Sequence, residues 1–324
     1  MKRGLVIGKF YPPHNGHHFL IEVALEESDY VDVLVCDNPQ YKIPASRRAN
    51  WLRMVHPRAT VRVIPDLYDD DNSEAWADHT IRFLGYAPDT VFTSEDYGNA
   101  YANFLGCKHR LVDKERLTVP ISASIIRQNF RKHWRTMHPI TRGYLATRIV
   151  VIGAESTGTT TLSLALAKIF NAAWTPEIGR YYTKSLLNTS HLWTDSDFVK
   201  IASMQQMYED TISKESDGII VCDTNAFATK IWQQRYMGKS TNTVEDYATK
   251  APADLYIVTG DEIPFVQDGT RDGQKIRHMM HRQFVDQLEK YKLPHIVVRG
   301  SIKARLLRAE KEISKVLDQK KALV

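Results

Sequence analysis

Residues 5–7, Leu-Val-Ile, form a short apolar run. It breaks at Gly8 into the turn Gly-Lys-Phe-Tyr-Pro-Pro-His-Asn-Gly-His-His, which leads to a helical pattern over 19–25. An apolar run of that length reads as a buried strand, so the turn joins a strand to a helix. That is where an open parallel sheet holds its ligand. Gly8 lets the backbone approach a ligand, and Pro12 and Pro13 stiffen the turn. Gly16 stands at the helix start, where free N–H groups attract anions. His14 and His17 are three apart, so one helical turn aims both imidazoles at one anion. There they can donate hydrogen bonds to phosphate and offset charge that builds up on it. A His-x-x-His pair alone is usually surface decoration. Its place directly after a first strand gives it weight.

The alternation of strand and helix continues. Apolar strands are expected at 30–36, 61–64 and 90–93, with helices at 46–55 and 73–84, a pattern that argues for a parallel sheet covered by helices. The acidic turn at 69–73 lacks the ligand spacing of a calcium loop and reads as a solvated helix start. At 121–127 the run Ile-Ser-Ala-Ser-Ile-Ile-Arg places Ser122 or Ser124 as cap of a helix begun at Ile125, with Arg127 one turn in. Hydroxyls, free N–H groups and a guanidinium then surround one point, which suits a triphosphate. Residues 133–144 are aromatic and basic. They read as the last helix of this domain and a linker, with Pro139 ending or interrupting the helix, in preference to a nucleic-acid patch.

A new strand starts at 149–152 and runs into Gly153-Ala154-Glu155-Ser156-Thr157-Gly158-Thr159-Thr160, then a helix over 161–170. This is a P-loop frame in its proper strand–loop–helix context, with Gly153, Ser156, Gly158, Thr160 and Thr161 expected around the phosphates. Thr159 stands where Lys is usual, which removes a direct contact to the β- and γ-phosphates. Strand 218–223 ends in Asp223, the Walker B arrangement that with Thr160 organises Mg²⁺; a helix-capping role has comparable weight from this stretch alone. After a strand at 172–175, Glu177 is placed to accept a proton from a substrate hydroxyl and Arg180 to hold a phosphate. The charged stretch 268–273, after a strand at 255–258, suits a lid. Arg271, Lys275 and Arg277 are then expected to supply the charge that Thr159 lacks. A last strand at 295–298 and a basic terminal helix from 303 complete the chain.

At 324 residues the chain suits two domains. A net charge of +5 fits anionic small molecules and nucleic acid alike and does not choose between them. Cys36, Cys107 and Cys222 are scattered and form no Cys-x-x-Cys pair, so neither a zinc site nor a disulfide framework is expected, and a reducing cytoplasm is the simplest home. No run approaches the ~18 apolar residues of a membrane span.

The turn at 8–18 resembles the signature Gly-x-Phe-x-Pro-x-His-x-Gly-His of the nucleotidyltransferase superfamily, which joins a nucleoside monophosphate to a phosphorylated acceptor. The stretch 121–127 resembles its partner Ile-Ser-x-Thr-x-x-Arg, with Ser124 in place of Thr. Taken whole, the chain resembles the bifunctional nicotinamide mononucleotide (NMN) adenylyltransferase and ribosylnicotinamide kinase (NadR-type) family. The likeness rests on 8–17, 94–98, 119–127, 153–160, 176–181, 223–224 and 268–271, in the family's order. It implies two parallel-sheet α/β domains, a Rossmann-like nucleotidyltransferase over 1–147 and a P-loop kinase over 148–324. It also implies two steps of NAD salvage. The second half would pass the γ-phosphoryl of ATP to nicotinamide riboside, with Glu177 as base and Thr160 and Asp223 organising Mg²⁺. The first half would let NMN attack the α-phosphorus of ATP. There Gly8, Lys9 and Phe10 would bind nucleotide, and His14, His17, Ser122, Ser124 and Arg127 would hold the triphosphate and its developing charge. Some members carry an extra N-terminal DNA-binding domain; this chain starts at the transferase strand, so no such domain and no membrane partner are expected, while self-association stays open. Two alternatives remain: a different transferase fused to another nucleoside kinase, or a transferase with a nucleotide-sensing, inactive P-loop module.

Overall fold

The structure, a computed structural model, describes residues 1–186, 189–250, 253–266 and 274–321. The chain divides into two compact units, one of Met1–Thr141 and one of Arg142–Lys320. This places the division six residues before the expected boundary, and the strand opened by Thr147 lies wholly in the second unit.

In the first unit the elements run β1 (Arg3–Gly8), α1 (Asn15–Glu27), β2 (Tyr30–Asp37), α2 (Ala45–Val55), β3 (Thr60–Pro65), α3 (Ser73–Leu84), β4 (Thr90–Thr93), α4 (Gly98–Leu105), β5 (Lys108–Leu111) and α5 (Ala123–Gln128). The strands form one parallel sheet in the order β3-β2-β1-β4-β5. Side chains alternate across a strand, so each strand feeds two cores. Val6, Val31, Val33 and Val35 face α1 and α2 through Leu20, Ala24 and Leu52. Leu5, Leu34, Ile64 and Val91 face α3 and α4 through Trp76, Ala77 and Tyr101. Both faces are buried, which is why these strands read as continuous apolar runs.

One expectation fails at the end of this unit. Pro139 neither ends nor interrupts a helix: a 3-10 turn spans Trp134–Thr136, and helix α6 (Pro139–Leu145) starts at the proline. A proline suits a first helical position because its missing N–H would have had no partner there, and its fixed φ already matches the helix.

The second unit holds β6 (Thr147–Ile152), α7 (Thr159–Ile169), β7 (Ala173–Thr175), α8 (Ile178–Leu186), α9 (Asp195–Glu215), β8 (Ile219–Asp223), α10 (Ala226–Met237), α11 (Asn242–Lys250), β9 (Leu255–Thr259), α12 (Gln274–Lys290), β10 (His295–Val298) and α13 (Ile302–Lys321). Its parallel sheet has the order β10-β9-β6-β8-β7. The same alternation splits the core. Val150, Ile152, Ile220 and Tyr256 meet Phe227, Ile231, Met280 and Phe284 on one face. Ile149, Val151, Val221 and Ile257 meet Leu162, Leu166, Ala309 and Ile313 on the other. The lid expected at 268–273 lies outside the described residues. Among the described residues no helix is long and apolar enough to cross a membrane, and the three cysteines are free thiols.

Candidate active sites

Strand order reverses between β1 and β4, and at the C-terminal ends of those strands a cavity of about 370 Å³ opens. Gly8, Lys9, Phe10 and His17 line one side; Ser94, Glu95 and Tyr97, after β4, line another; Ser124 and Arg127 of α5 complete it. The two motifs about a hundred residues apart therefore meet. Arg127 donates one N–H to the Tyr11 carbonyl at 2.7 Å and another to Ser124 Oγ at 3.1 Å. Gly16 lies close enough to the second motif that an added Cβ would stand 3.5 Å from the Ile121 carbonyl.

The two histidines cap α1. His14 Nδ1 accepts the Gly16 N–H at 3.1 Å, and His17 Nδ1 accepts the His14 N–H at 3.3 Å. A neutral imidazole that accepts through Nδ1 carries its proton on Nε2. Both rings are thus held in the tautomer that offers Nε2–H as a donor. They stack at 3.7 Å between centroids, with Phe10 at 4.9 Å from His17. Burial, aided by neighbouring positive groups, lowers His14 to about 3 and holds His17 well below the ordinary histidine value. Each stays neutral at pH 7 and acts as a hydrogen-bond donor without a net charge. His17 lines the cavity, with His14 stacked against it. Ser122 is not among the residues lining the cavity; its Oγ accepts the Ile125 N–H at 3.3 Å and caps α5, the capping role expected of Ser122 or Ser124.

Arg48, on α2, has no local sequence mark of its role. It is fully buried and donates to the main-chain carbonyls of Lys9, Ile43 (3.0 Å) and Cys36 (3.2 Å). It clamps the Gly8 turn to the end of β2. Lys9 in turn reaches Asp70, after β3, at 2.6 Å.

In the second unit a cavity of about 360 Å³ is lined by Gly153, Ser156 and Gly158 of the loop between β6 and α7, by Thr159, Thr160 and Thr161 of the first turn of α7, by Glu177, Gly179 and Arg180 at the start of α8, and by Trp193, Phe198, Trp232 and Tyr236. The loop is built for close approach. A Cβ at Gly153 would stand 2.1 Å from Thr259 Oγ1, and Gly158 has φ +84°. Thr157 Oγ1 lies 2.6 Å from both the Ala154 carbonyl and Thr259 Oγ1. The Gly158 carbonyl accepts from Leu162 N–H at 3.0 Å, so the first-turn N–H groups of 159, 160 and 161 have no partner within the helix and front the cavity.

Thr160 Oγ1 donates to Asp223 Oδ2 at 2.5 Å. Asp223 is buried, its Oδ1 has no hydrogen-bond partner, and burial pushes its carboxyl up against the opposing pull of the Thr160 and Thr159 hydroxyls and Arg180. A hydroxyl and an unsatisfied carboxylate oxygen are hard donors of the kind Mg²⁺ takes alongside waters and phosphate. Arg277 is not where it was expected. It is buried and donates to the Ile263 carbonyl, so it braces the segment after β9 and does not line the cavity. Arg271 lies outside the described residues, as does the side chain of Lys275.

The aromatic wall is the largest feature that the linear reading missed. Trp193 lies 5.2 Å from Phe198 and 5.6 Å from Tyr236, and Trp232 lies 6.3 Å from Tyr236. Trp232 and Tyr236 are one helical turn apart on α10, a signal visible in the sequence. Trp193 reaches the group from the loop before α9, which Asp197 anchors by accepting from the Thr194 N–H (2.8 Å) and hydroxyl (2.7 Å) and from Tyr182.

A family described as cytidylyltransferase-like matches residues 5–129, and one described as an AAA domain matches residues 148–305. The trifunctional NAD biosynthesis/regulator protein NadR of Escherichia coli (strain K12) is 26% identical over 98% of this chain and 84% of its own length. The protein of the same description from Salmonella typhimurium is 26% identical over 98% of this chain and 83% of its own. Among solved structures, a NadR protein in complex with NAD and AMP-PNP superposes with a TM-score of 0.70 at 21% identity, covering 97% of this chain and 96% of that one. A NadR protein in complex with NR gives 0.68 at 20% identity, covering 93% and 89%. The chain is homologous to the NadR proteins over nearly its whole length, as a cytidylyltransferase-like unit followed by a P-loop unit.

Proposed function

We propose that the chain carries out two successive steps of NAD salvage: phosphorylation of nicotinamide riboside to NMN in the second unit, and adenylyl transfer from ATP to NMN in the first. The observation that carries the reading is the lining of the second cavity, which brings the P-loop residues together with four aromatic side chains. Nicotinamide riboside joins a flat cationic ring to a 5′-hydroxyl. Electron-rich ring faces attract such a cation, most strongly when it is desolvated. Glu177, beside the loop, suits the base that takes the 5′-hydroxyl proton, and Arg180 suits a contact to the transferred phosphoryl group. Mg²⁺ held by Thr160 and Asp223 would neutralise charge on the β- and γ-phosphates.

In the first cavity no covalent intermediate is required. His17 Nε2–H, Arg127 and the Ser124 hydroxyl offer donors to a triphosphate in this cavity, and His14 stacks on the His17 ring. An oxygen of the NMN phosphate attacks the α-phosphorus, pyrophosphate leaves, and the donors hold the charge that grows on the non-bridging oxygens. Incubation of the protein with Mg-ATP and nicotinamide riboside is expected to yield NMN and then NAD with pyrophosphate. NAD formed from NMN but never from the riboside would favour a nucleotide-sensing second unit, and failure with both substrates would overturn the reading.

A further inference from the structure

We propose that Arg305 is a positioning residue for phosphoryl transfer, a buried guanidinium that sets the phosphate-binding loop from behind. This deepens the kinase reading of the second unit and rests on it. Arg305 sits in the first turn of α13, outside the P-loop motif and distant from it in sequence, and its side chain is 4% exposed. Nε donates to the Gly300 carbonyl at 3.0 Å, one terminal nitrogen to the Thr157 carbonyl at 2.7 Å, and the other to the Gly260 carbonyl at 3.2 Å and Glu262 Oε1 at 2.8 Å. Three segments meet on this one group: the phosphate loop, the end of β9 and the end of β10.

The Thr157 contact governs the loop. With its hydroxyl committed to Ala154 and Thr259 and its carbonyl committed to Arg305, the peptide that leads into Gly158 has one orientation. An added Cβ at Gly158 would stand 3.9 Å from the same guanidinium nitrogen, so the contact extends to the turn itself. The amides of 159, 160 and 161 follow directly. Donors fixed before the nucleotide arrives cost nothing to order on binding. Thr159 gives this weight, because a loop without its lysine depends more on its amides for phosphate binding. A lysine could not replace Arg305: four acceptors in different directions need the rigid fork of donors that only a guanidinium has.

The test uses the full chain with Arg305→Lys, which keeps the charge and loses the fork. The expected result is a KM for Mg-ATP in nicotinamide riboside phosphorylation raised about tenfold or more, with a smaller change in kcat. AMP-PNP affinity of the second unit, read from Trp193 and Trp232 fluorescence with the first cavity saturated with NAD, should weaken by a similar factor. Retention of both calorimetric transitions of the parent in the same preparation reports that both units are folded. Arg305→Gln, which keeps two donors, supplies the same comparison if the lysine variant does not accumulate. AMP-PNP affinity within twofold of the parent in a folded variant would overturn the proposal. So would a fall in kcat at unchanged KM, the signature of a smaller active fraction. If the parent protein makes no NMN from the riboside, the kinase reading fails, and the AMP-PNP comparison still decides the role of Arg305.

Discussion

At the scale of single residues, two side chains separate the two activities. Removing the His17 imidazole takes away a fixed neutral donor from the first cavity and nothing from the second. His17→Ala is expected to lower adenylyl transfer on the order of 10²-fold while phosphorylation of the riboside stays near the parent rate. An assay of both reactions on one preparation checks this, and near-normal NAD synthesis from NMN would remove His17 from the mechanism. Asp223→Asn should do the reverse. It keeps the shape against Thr160 but loses the carboxylate charge, so phosphoryl transfer should fall at least ~10²-fold with adenylyl transfer retained. These residues were legible in the sequence because local patterns mark them: a strand end for Asp223, a strand-to-helix turn for His17. Arg48 and Arg305 were not. Each acts through main-chain carbonyls brought together only by the fold, and a base on a helix carries no mark of which carbonyls it will meet.

At the scale of elements, strands buried on both faces announced themselves. The Thr90–Thr93 strand and the Ser73–Leu84 helix have the expected bounds. Strand β5, Lys-His-Arg-Leu, lacks an apolar run because it lies at the sheet edge and is held by its backbone ladder to β4. Helix α9 buries Gln205, Gln206 and Glu209 along with its apolar residues, so its periodicity is weak. The acidic segment between β3 and α3, read as a plain helix start, also reaches across the cavity, where Asp70 pairs with Lys9. Both side chains keep substantial exposure, 73% and 37%, so the pair contributes at most about 1 kcal/mol. A substrate phosphate bound by Lys9 would compete with Asp70 for that ammonium. Asp70→Asn is therefore expected to lower the KM of the adenylyl transfer for ATP or NMN by a few fold. Unchanged or raised KM values for both would show that Lys9 does not meet a substrate anion.

At the scale of the whole molecule, the two units should respond to acid differently. In the first unit burial lowers His14 and His18 each to about 3, and lowers His17 and His56 as well. His18 and His56 share a 2.8 Å contact, and His56 lies 2.7 Å from Glu22. The sign follows from linkage: with folded values below the unfolded value of 6.5, the unfolded chain binds more protons between those limits. Stability from these rings is complete above pH 6.5 and is lost as pH falls toward 3. For a ring such as His14 the loss at pH 5 is on the order of 1–2 kcal/mol. In the second unit His281 is lowered too, but the other shifts there run otherwise. Asp197 is held below its ordinary 3.8, chiefly by hydrogen bonds from Tyr182, Thr194 and His191 that outweigh its burial, so its contribution falls away only under stronger acid. Burial raises Glu209 to about 7 despite the opposing pull of Arg148, and a raised carboxyl favours the folded state at low pH and loses that contribution as pH rises through 7. Between pH 7 and 5 the first unit should therefore lose more stability than the second. Scanning calorimetry of the full chain reads this directly, with NAD and nicotinamide riboside assigning each transition by the unit it stabilises. The transition raised by NAD should move down by about 5 °C or more over that range, and the one raised by nicotinamide riboside should move less. A larger shift in the second transition would mean that the buried histidines of the first unit do not control its acid stability.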